Sequence, residues 1–354
     1  MKYVFIFTTL FFSKALIAQD YLGYFNTIRE AEMAIIDENY QNAIDLYNNA
    51  FDDFDFIFPK DAYIASQVAS FNNDYPSFEK FIIKGIKNGL PIESIKRNPH
   101  LLSYFETLEN QTLNSNYLDS LHEINNERIN KSYRDTLIQM VKEDQRLRDK
   151  NETFLNAVVF NHKLRPRLFK KWMKQAEEQS QFILEMTKTH GFPSHKIIGT
   201  HRIEDYDKFG TSYKSQYATI ILFHYDFAYQ LFEEVLPEQL RLGNISPKQV
   251  ALLRDFATRH LMFGKVEDKL YEDYQYFIRW THNSNKKKEK EIKIRDKWIA
   301  GNIETINEER EKIGLVPLDY QNKIKEIQFL YWKNYENLKT EKMAYFDFNY
   351  WGWE

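Results

Sequence analysis

Residues 40–50 read YQNAIDLYNNA, and residues 75–85 read YPSFEKFIIKG. The two stretches carry small and aromatic residues at matching places 35 positions apart, in the pairs Tyr40/Tyr75, Ala43/Phe78, Tyr47/Ile82 and Ala50/Gly85. The same shift relates Ala31 to Ser66 and Ala34 to Ala69. Small residues let two helix axes approach closely, and aromatic residues fill the groove between them. The spacing therefore predicts two helical hairpins built on one plan.

This pattern resembles the tetratricopeptide repeat, whose unit is a helical hairpin of about 34 residues. The small, aromatic and small positions of the second helix of that repeat correspond here to Ala43, Tyr47 and Ala50. The Trp and the final Pro of the repeat are absent, so a plain helical bundle is the alternative. The resemblance implies a repeat region over residues 19–114, which should lean on the rest of the chain because two repeats alone are marginal.

The remaining sequence also favours helices. The chain has 354 residues with only 11 Gly and 9 Pro, and scarce breakers favour long helices over many short strands. We therefore predict an all-α protein. Its expected segments are a bridging helix at 115–137, a helical domain at 138–320, and a C-terminal helix with an aromatic tail at 321–354. In the second half, the patterns predict helices at 167–189, at 215–236 before Pro237, from Ser246, up to Gly314, and at 321–343.

The first 18 residues have the composition of a signal peptide. Lys2 gives the positive start, residues 3–12 form a short apolar run, and small residues follow at Ala15 and Ala18. We predict cleavage after Ala18 and a periplasmic or secreted mature protein; an uncleaved anchor is the alternative. No later segment is apolar enough to predict a transmembrane helix in the mature chain.

Charge and cysteine content restrict the partners and the chemistry. The formal net charge is −3, and loss of Lys2 and Lys14 with the leader gives about −5, which argues against a nucleic-acid partner. The chain has no cysteine, so disulfides, thiol catalysis and zinc–thiolate sites are excluded. No phosphate-cradling glycine loop is present, and we predict no cofactor.

Residues 138–320 carry several short motifs in a defined order. They are Asp144-Gln145-x-x-Arg148, Gly191-Phe192-Pro193, His224, a Leu-rich stretch up to Asp255, and Arg310-x-x-Ile313-Gly314-Leu315-x-Pro317-Leu318. In this order they resemble a bacterial helical domain family of unknown function. A Gln-x-Tyr-Gly-Thr-Gln segment of that family is not recognisable here, and Phe223 stands where the family has Gln. The resemblance implies a helical domain and no particular activity.

Four residues of these motifs are candidates for a catalytic site. Asp144 and Arg148 are four apart on one predicted helix, so Asp144 can orient Arg148 as an anion clamp; a surface ion pair is the alternative. His224 lies beside an apolar stripe and is either a core residue or a general base. Asp255 is its natural carboxylate partner, unless Asp255 pairs with Arg259 one turn further on.

His190, His195 and His201 surround the Gly-Phe-Pro turn, with Asp205 nearby. Their spacing fits no standard zinc pattern, so we predict no metal site.

Two functions remain open. The first is a binding or scaffold protein of the cell envelope that contacts a protein partner through the concave face of the repeat unit. The second is a hydrolase-type enzyme in which His224, Asp144, Arg148 and Asp255 converge on one cleft. We favour the first because helical repeats more often bind than catalyse, an argument from fold alone.

Overall fold

The structure, a computed structural model, describes residues 19–157, 164–200, 217–223, 225, 227–251, 253–254 and 300–333. Every regular element in these ranges is a helix, which confirms the predicted all-α class. The main helices are α1 Tyr21–Ile36, α2 Tyr40–Asp53, α3 Pro59–Phe71, α4 Tyr75–Lys87, α5 Ile92–Arg97, α6 Pro99–Gln111, α7 Ser115–Arg128, α8 Lys131–Ala157, α9 Leu164–His190, α10 His195–Ile198, α11 Tyr217–Phe223, α12 Ala228–Phe232, α13 Leu236–Arg241, α14 Ile303–Lys312 and α15 Leu318–Lys333. The predicted leader and the aromatic tail lie outside the described residues.

No helix in the described ranges has both the length and the apolarity needed to cross a bilayer.

The 35-residue repeat is present in the backbone as well as in the sequence. Helices α1 and α2 pack as one hairpin, and α3 and α4 pack as a second. Both hairpin turns place one residue in the left-handed region, Glu38 and Asn73, each at φ 58°. Both turns also close with a backbone hydrogen bond to the residue five positions earlier, from Asn39 to Ala34 at 2.8 Å and from Asp74 to Ala69 at 2.9 Å. The two hairpins therefore share one turn geometry, 35 residues apart.

The small residues of the repeat are buried at the helix crossings. The buried members are Ala31, Ala34, Ala43, Ala50, Ser66, Ala69 and Gly85. At Gly85 an added Cβ would lie 2.8 Å from a methyl carbon of Leu90 and 3.0 Å from Cβ of Ala62. Glycine stands here in place of the alanine of the first unit because α3 and the 88–90 turn approach α4 too closely for a side chain.

The predicted bridging helix is two helices. Helix α7 packs on α4 and ends at Arg128, and α8 begins at Lys131. Asn130 separates them: its side chain caps α8 by accepting from the backbone N–H of Tyr133 at 3.0 Å. Its own N–H donates to the carbonyl of Ile197 at 2.8 Å. The break is stabilised by a residue far along the chain, so the local apolar spacing could not predict it.

The second half is built on the long pair α8 and α9. The two helices run antiparallel: Tyr133 lies near Phe182 towards one end, and Asp144 lies near Trp172 towards the other. Helix α11 packs on both. Helix α9 confirms the prediction at 167–189 and ends before Gly191, which adopts φ 93°.

The predicted helix at 215–236 is wrong. The described residues of that stretch form two short helices, α11 and α12, and α13 follows. Pro237 lies in the first turn of α13, where its missing N–H leaves no intrahelical bond unmade, so it starts a helix instead of stopping one.

Two predicted helix ends are confirmed. The backbone N–H of Ser246 donates to Oε1 of Gln249 at 2.9 Å, and the N–H of Gln249 donates to Oγ of Ser246 at 3.3 Å, which is a reciprocal capping box. Helix α14 ends at Lys312, just before Gly314 at φ 82°. Helix α15 begins at Leu318, three residues before the predicted start.

The second half packs against the first hairpin. Helices α13 and α15 both contact α1. The Tyr320 hydroxyl donates to the carboxylate of Asp37, with oxygen separations of 2.9 and 3.1 Å, and Arg29 pairs with Glu311 at 3.1 Å. Buried residues of the repeat region and of the second half belong to one hydrophobic cluster. The repeat region thus gains the support that two repeats need; the domain boundaries themselves stay a prediction.

Candidate functional site

Of the four predicted catalytic residues, Asp144 is the one whose side chain the structure describes. Arg148 lies one turn further along α8, and its side chain is outside the described set. His224 and Asp255 also fall outside the described residues. The convergence of the four residues on one cleft therefore stays a prediction.

Asp144 is fully buried, with 0% of its surface exposed. Its Oδ1 accepts a hydrogen bond of 2.9 Å from the indole Nε1 of Trp172 on α9, and its Oδ2 accepts one of 2.9 Å from Nε2 of the neighbouring Gln145. A buried carboxylate needs such donors, because an unsatisfied charge in a protein interior is strongly unfavourable. The geometry makes Asp144 a polar tie between α8 and α9.

Trp172 is a partner that the sequence analysis missed. Trp172 lies on the face of α9 that is turned towards α8. A half-buried Trp usually needs an acceptor for its indole N–H, which was the available signal. Further along the same pair of helices, Gln179 donates from Nε2 to the carbonyl of Met140 at 3.2 Å. Side-chain hydrogen bonds between α8 and α9 therefore recur.

The closing motif of the second half holds a turn together. Arg310 is fully buried, and its Nε donates to the carbonyl of Val316 at 2.6 Å while Nη2 donates to Oε1 of Gln321 at 3.3 Å. The backbone N–H of Leu315 donates to the Arg310 carbonyl at 2.9 Å, and Gly314 takes the left-handed conformation that this turn requires. The Arg-to-Leu motif therefore fixes the junction of α14 with α15.

The Gly-Phe-Pro motif also has a structural role. Gly191 ends α9, and the N–H of Phe192 donates to Oε1 of Gln239 at 2.8 Å. Asn244 donates to the same oxygen at 3.0 Å. The Phe192 ring is fully buried against Phe232. These contacts attach the end of α9 to α12 and α13.

The histidine cluster gives no metal geometry in the described part of the chain. His195 is buried in α10, His190 is exposed at the end of α9, and His201 and Asp205 are outside the described residues. Within the described ranges, no three His or acidic side chains are grouped as a metal ion would require. The predicted absence of a metal stays a prediction.

An exposed aromatic pair lies beside the second hairpin turn. Tyr75, the first residue of α4, is 54% exposed, and its ring stacks on that of Tyr104 from α6 at 4.8 Å and 28°. Tyr104 also packs on Phe78 at 5.4 Å and donates from its hydroxyl to Oδ1 of Asn73 at 2.9 Å. Desolvation, then the neighbouring Tyr75, raises the pKa of Tyr104, so the phenol stays a donor. We call Asn73, Tyr75 and Tyr104 the Tyr75 surface.

The corresponding place in the first unit is covered. Tyr40 packs edge-on against Phe71 at 4.9 Å, and the turn beside it is contacted by Tyr320 at Asp37. The repeat predicts that Tyr40 and Tyr75 occupy matching places. Tyr40 is half-buried against Phe71 of α3, whereas Tyr75 has Tyr104 of α6 on one face and stays exposed.

The scan against protein-family models found no match to the chain, and the searches of curated proteins and of solved structures found no significant similarity. The described geometry therefore defines a class, an all-helical protein with tandem helical hairpins, and the resemblance to the family of unknown function stays a prediction.

Proposed function

We propose that the chain is an exported binding or scaffold protein of the cell envelope and that it contacts a protein partner through the Tyr75 surface. The observation that carries the proposal is the stacked, half-exposed pair of Tyr75 and Tyr104 beside an open hairpin turn. Tyrosine is enriched where protein interfaces derive most of their binding energy.

The Tyr75 surface is rigid before any partner arrives. Tyr104 is held by the Tyr75 ring, by Phe78 and by the hydrogen bond to Asn73. Tyr75 itself starts α4 directly after the capping residue Asp74, whose Oδ1 accepts from the N–H of Ser77 at 3.1 Å. Side chains that are already ordered lose little conformational entropy on binding, so exposed aromatic area of this kind favours association.

Because α3 is buried, we place the proposed partner surface at the turn edge and not on the inner, concave side of the hairpins. Almost every residue of α3 is buried, including Asp61, Gln67 and Ser70. These polar side chains are occupied within the protein: Tyr24 donates to Asp61 at 2.8 Å, and Asn98 donates to Gln67 at 3.3 Å. Helix α3 therefore offers little surface to a partner, and the turn edge offers more.

The proposal includes export and removal of residues 1–18. Gln19 is already attached to the second helix and to the loop after it: its Nε2 donates to the Asp53 carbonyl at 2.9 Å, and its Oε1 accepts from the N–H of Asp55 at 3.1 Å. A chain that begins at Gln19 keeps both contacts. Mass spectrometry of the native protein, with Gln19 expected as the first residue, tests this part; an intact Met1 in the fractionated envelope would contradict it.

The described residues do not test the hydrolase alternative. Asp144 is sealed between α8 and α9 and accepts from Trp172 and Gln145, and a buried carboxylate can also orient a neighbouring cation, so the predicted pairing with Arg148 stays a prediction.

The test is site-specific photo-crosslinking in the producing organism. A photoreactive phenylalanine analogue replaces Tyr75 in one strain and Phe227 in another. Phe227 is the matched control because it is an aromatic residue outside the repeat region with 55% exposure, against 54% for Tyr75. We expect one discrete protein adduct from position 75 and none of that mass from position 227.

A second variant and two contrary results complete the test of the proposed partner surface. Tyr104→Ala removes the ring that orients Tyr75, so the adduct at position 75 should weaken strongly while folding, followed by circular dichroism, is retained. Equal labelling at positions 75 and 227, or no adduct at position 75, would overturn the proposed partner surface.

A further inference from the structure

A pair of cations lies where the repeat region meets the second half of the chain. The Lys196 ammonium lies over the Tyr21 ring at 4.3 Å, and the Arg128 guanidinium lies over the Phe56 ring at 4.5 Å. The two rings are joined through the backbone of Phe56: its N–H donates to the Tyr21 hydroxyl at 3.0 Å, and that hydroxyl donates to its carbonyl at 3.3 Å. We call Tyr21, Phe56, Arg128 and Lys196 the seam.

Neutral groups hold both cations in place. Lys196 Nζ donates to the carbonyl of Leu242 at 2.5 Å, and Arg128 Nη2 donates to Oδ1 of Asn125 at 2.6 Å. Among the described residues, neither cation forms an ion pair with a carboxylate. An ammonium has three N–H donors and a guanidinium has five, so both keep donors for a further acceptor.

Three lysines of the repeat region are paired with carboxylates. Lys80 and Lys84 pair with Asp52 at 2.7 and 2.9 Å, and Lys96 pairs with Glu109 at 2.8 Å. The exposed Asp55 acts on the seam: its charge raises the pKa of Tyr21 and opposes the lowering of the Lys196 pKa. Among the residues that the structure describes, the seam thus differs from these sites in holding two cations without a bonded carboxylate.

We propose that the seam binds a small oxyanion, a phosphate or sulfate group, between Lys196 and Arg128. Charge-assisted hydrogen bonds from two cations are the usual means of holding such a group, and the guanidinium supplies a planar fork. Lys196 is half-buried and Arg128 is exposed, so an anion reaches both from solvent while the aromatic rings shield one side.

The electrostatics of the seam agree with this assignment. Desolvation, with the nearby positive charge of Arg128 second, lowers the pKa of Lys196 to about 8. A bound dianion would counter both causes and favour the protonated amine. Binding should therefore weaken as the pH rises through about 8 and the free amine forms. Arg128 and Asp55 are the charged groups that shift the pKa of Lys196. The Tyr21 ring contacts the ammonium, and Tyr21 stays neutral in this range because its own pKa is raised to about 12.

The anion would also connect two parts of the chain. Tyr21 begins α1, Arg128 ends α7, and Lys196 lies in α10, which follows the long helix pair. Anything that binds the folded arrangement and not the unfolded chain stabilises the fold by mass action. The oxyanion therefore acts as a clamp between the repeat region and the second half.

The experiment is isothermal titration calorimetry of the purified mature chain with sodium sulfate, whose charge does not change between pH 6 and 9. Sodium chloride at equal ionic strength is the reference. We expect saturable binding of one sulfate per chain. Lys196→Gln and Arg128→Gln should each weaken it about tenfold or more, since hydrogen bonds to charged groups carry this magnitude.

Two control variants separate a specific site from general charge. Lys96→Gln removes a cation that also lies over an aromatic ring, Phe105 at 5.5 Å, but is paired with Glu109, so sulfate affinity should not change. Asp55→Asn removes the competing negative charge and should strengthen binding a few-fold. An equal loss in Lys96→Gln, or no effect of Asp55→Asn together with no effect of Lys196→Gln, would overturn the assignment.

A measurement on the wild-type chain keeps the test independent of variant folding. Lys196 should react with a limiting amine-acylating reagent at pH 8, and sulfate or inorganic phosphate should protect the Lys196 peptide, read by mass spectrometry, while Lys96 stays unprotected. Methyl phosphate distinguishes a free anion from a phosphate ester. Protection by both methyl phosphate and inorganic phosphate would show that the site accepts the phosphate group in either form. Protection by inorganic phosphate alone would show that it binds the free ion. Absence of saturable binding by calorimetry and absence of protection by any of the three anions would reject the site.

Discussion

Trp172 on α9 donates a hydrogen bond of 2.9 Å from its indole Nε1 to Oδ1 of Asp144 on α8. The two residues are 28 positions apart, and the bond crosses the interface of the two longest helices in the described part of the chain. Because Asp144 is fully buried, this donor and Gln145 replace the water that a carboxylate would otherwise bind.

Trp172→Phe should therefore destabilise the protein well beyond its small loss of apolar area. The ring is largely kept, but a buried carboxylate loses a donor, which costs about 2 to 3 kcal/mol of unfolding free energy. Urea unfolding followed by circular dichroism measures the effect. Asp144→Asn is the control: its amide oxygen still accepts from Trp172, so the loss should be smaller. A change in Trp172→Phe no larger than that of an ordinary surface substitution would contradict the structural role.

The left-handed turn residues of the two hairpins predict a graded gain in stability. Glu38→Gly should stabilise the protein by about 1 kcal/mol, because glycine adopts φ 58° without the steric strain of a Cβ. Asn73→Gly should gain less, since asparagine tolerates this conformation. The comparison of the two urea midpoints is the measurement. A larger gain at position 73 than at 38 would show that the turns are not equivalent.

Gly314 should not tolerate a side chain. It lies at φ 82°, and an added Cβ would be 2.6 Å from Cβ of Phe25, so Gly314→Ala should lower the unfolding free energy by about 2 kcal/mol or more. Gly301→Ala is the matched control, because nothing lies within 4 Å of its added Cβ. Thermal melts of both variants test the close approach of the second half to α1; equal melting temperatures would argue against it.

Buried tyrosines predict a loss of stability at alkaline pH. Desolvation raises the pKa of Tyr21 to about 12 from its ordinary value of 10.0, and it raises the pKa values of Tyr24 and Tyr47 in the same direction. In the unfolded chain these phenols lose their protons from about pH 10, so the unfolded state binds fewer protons there and folding stability falls between about pH 10 and 12.

The measurement is the unfolding free energy at pH 8 and at pH 11 for the wild-type chain and for Tyr21→Phe. The variant loses the hydrogen bonds of the hydroxyl to Phe56 at both pH values, so the informative quantity is the difference between them. We expect a smaller fall from pH 8 to pH 11 in Tyr21→Phe. An identical fall would mean that Tyr21 ionises in the folded protein as it does in water.

Much of the helical plan could be predicted from residues that are neighbours along the chain. The pairs at a spacing of 35 gave the hairpins of α1 to α4, and the Ser246-to-Gln249 capping box gave a helix start. One error occurred where a distant contact overrides local preference, since Asn130 separates α7 from α8 with the help of Ile197. The other concerned Pro237, which begins α13 after a stretch that reads as one continuous helix.

For the candidate residues, too, the sequence indicated which side chains matter, and the tertiary structure indicated what they contact. The motif spacing drew attention to Asp144 and Arg310, but not to what they bind. Asp144 accepts from Trp172 and so joins two helices, whereas its role in orienting Arg148 stays a prediction. The motif gave Arg310 no role, and its hydrogen bonds to the carbonyl of Val316 and to Gln321 show that it holds a turn. A side chain's type gives its possible partners, whereas its role depends on which partner the fold supplies.

The sequence by itself determined that this protein is helical, that it carries two hairpins built on one plan 35 residues apart, and which small residues lie at the helix crossings. These properties depend on helical periodicity, caps and steric limits that act within a few residues. Only the tertiary structure decided that α3 is enclosed, that Tyr75 is exposed while Tyr40 is half-buried, and that Lys196 lies over Tyr21. Those outcomes depend on contacts between residues far apart in the chain. Local patterns do not specify such contacts, because many different partners can pack against the same helix face.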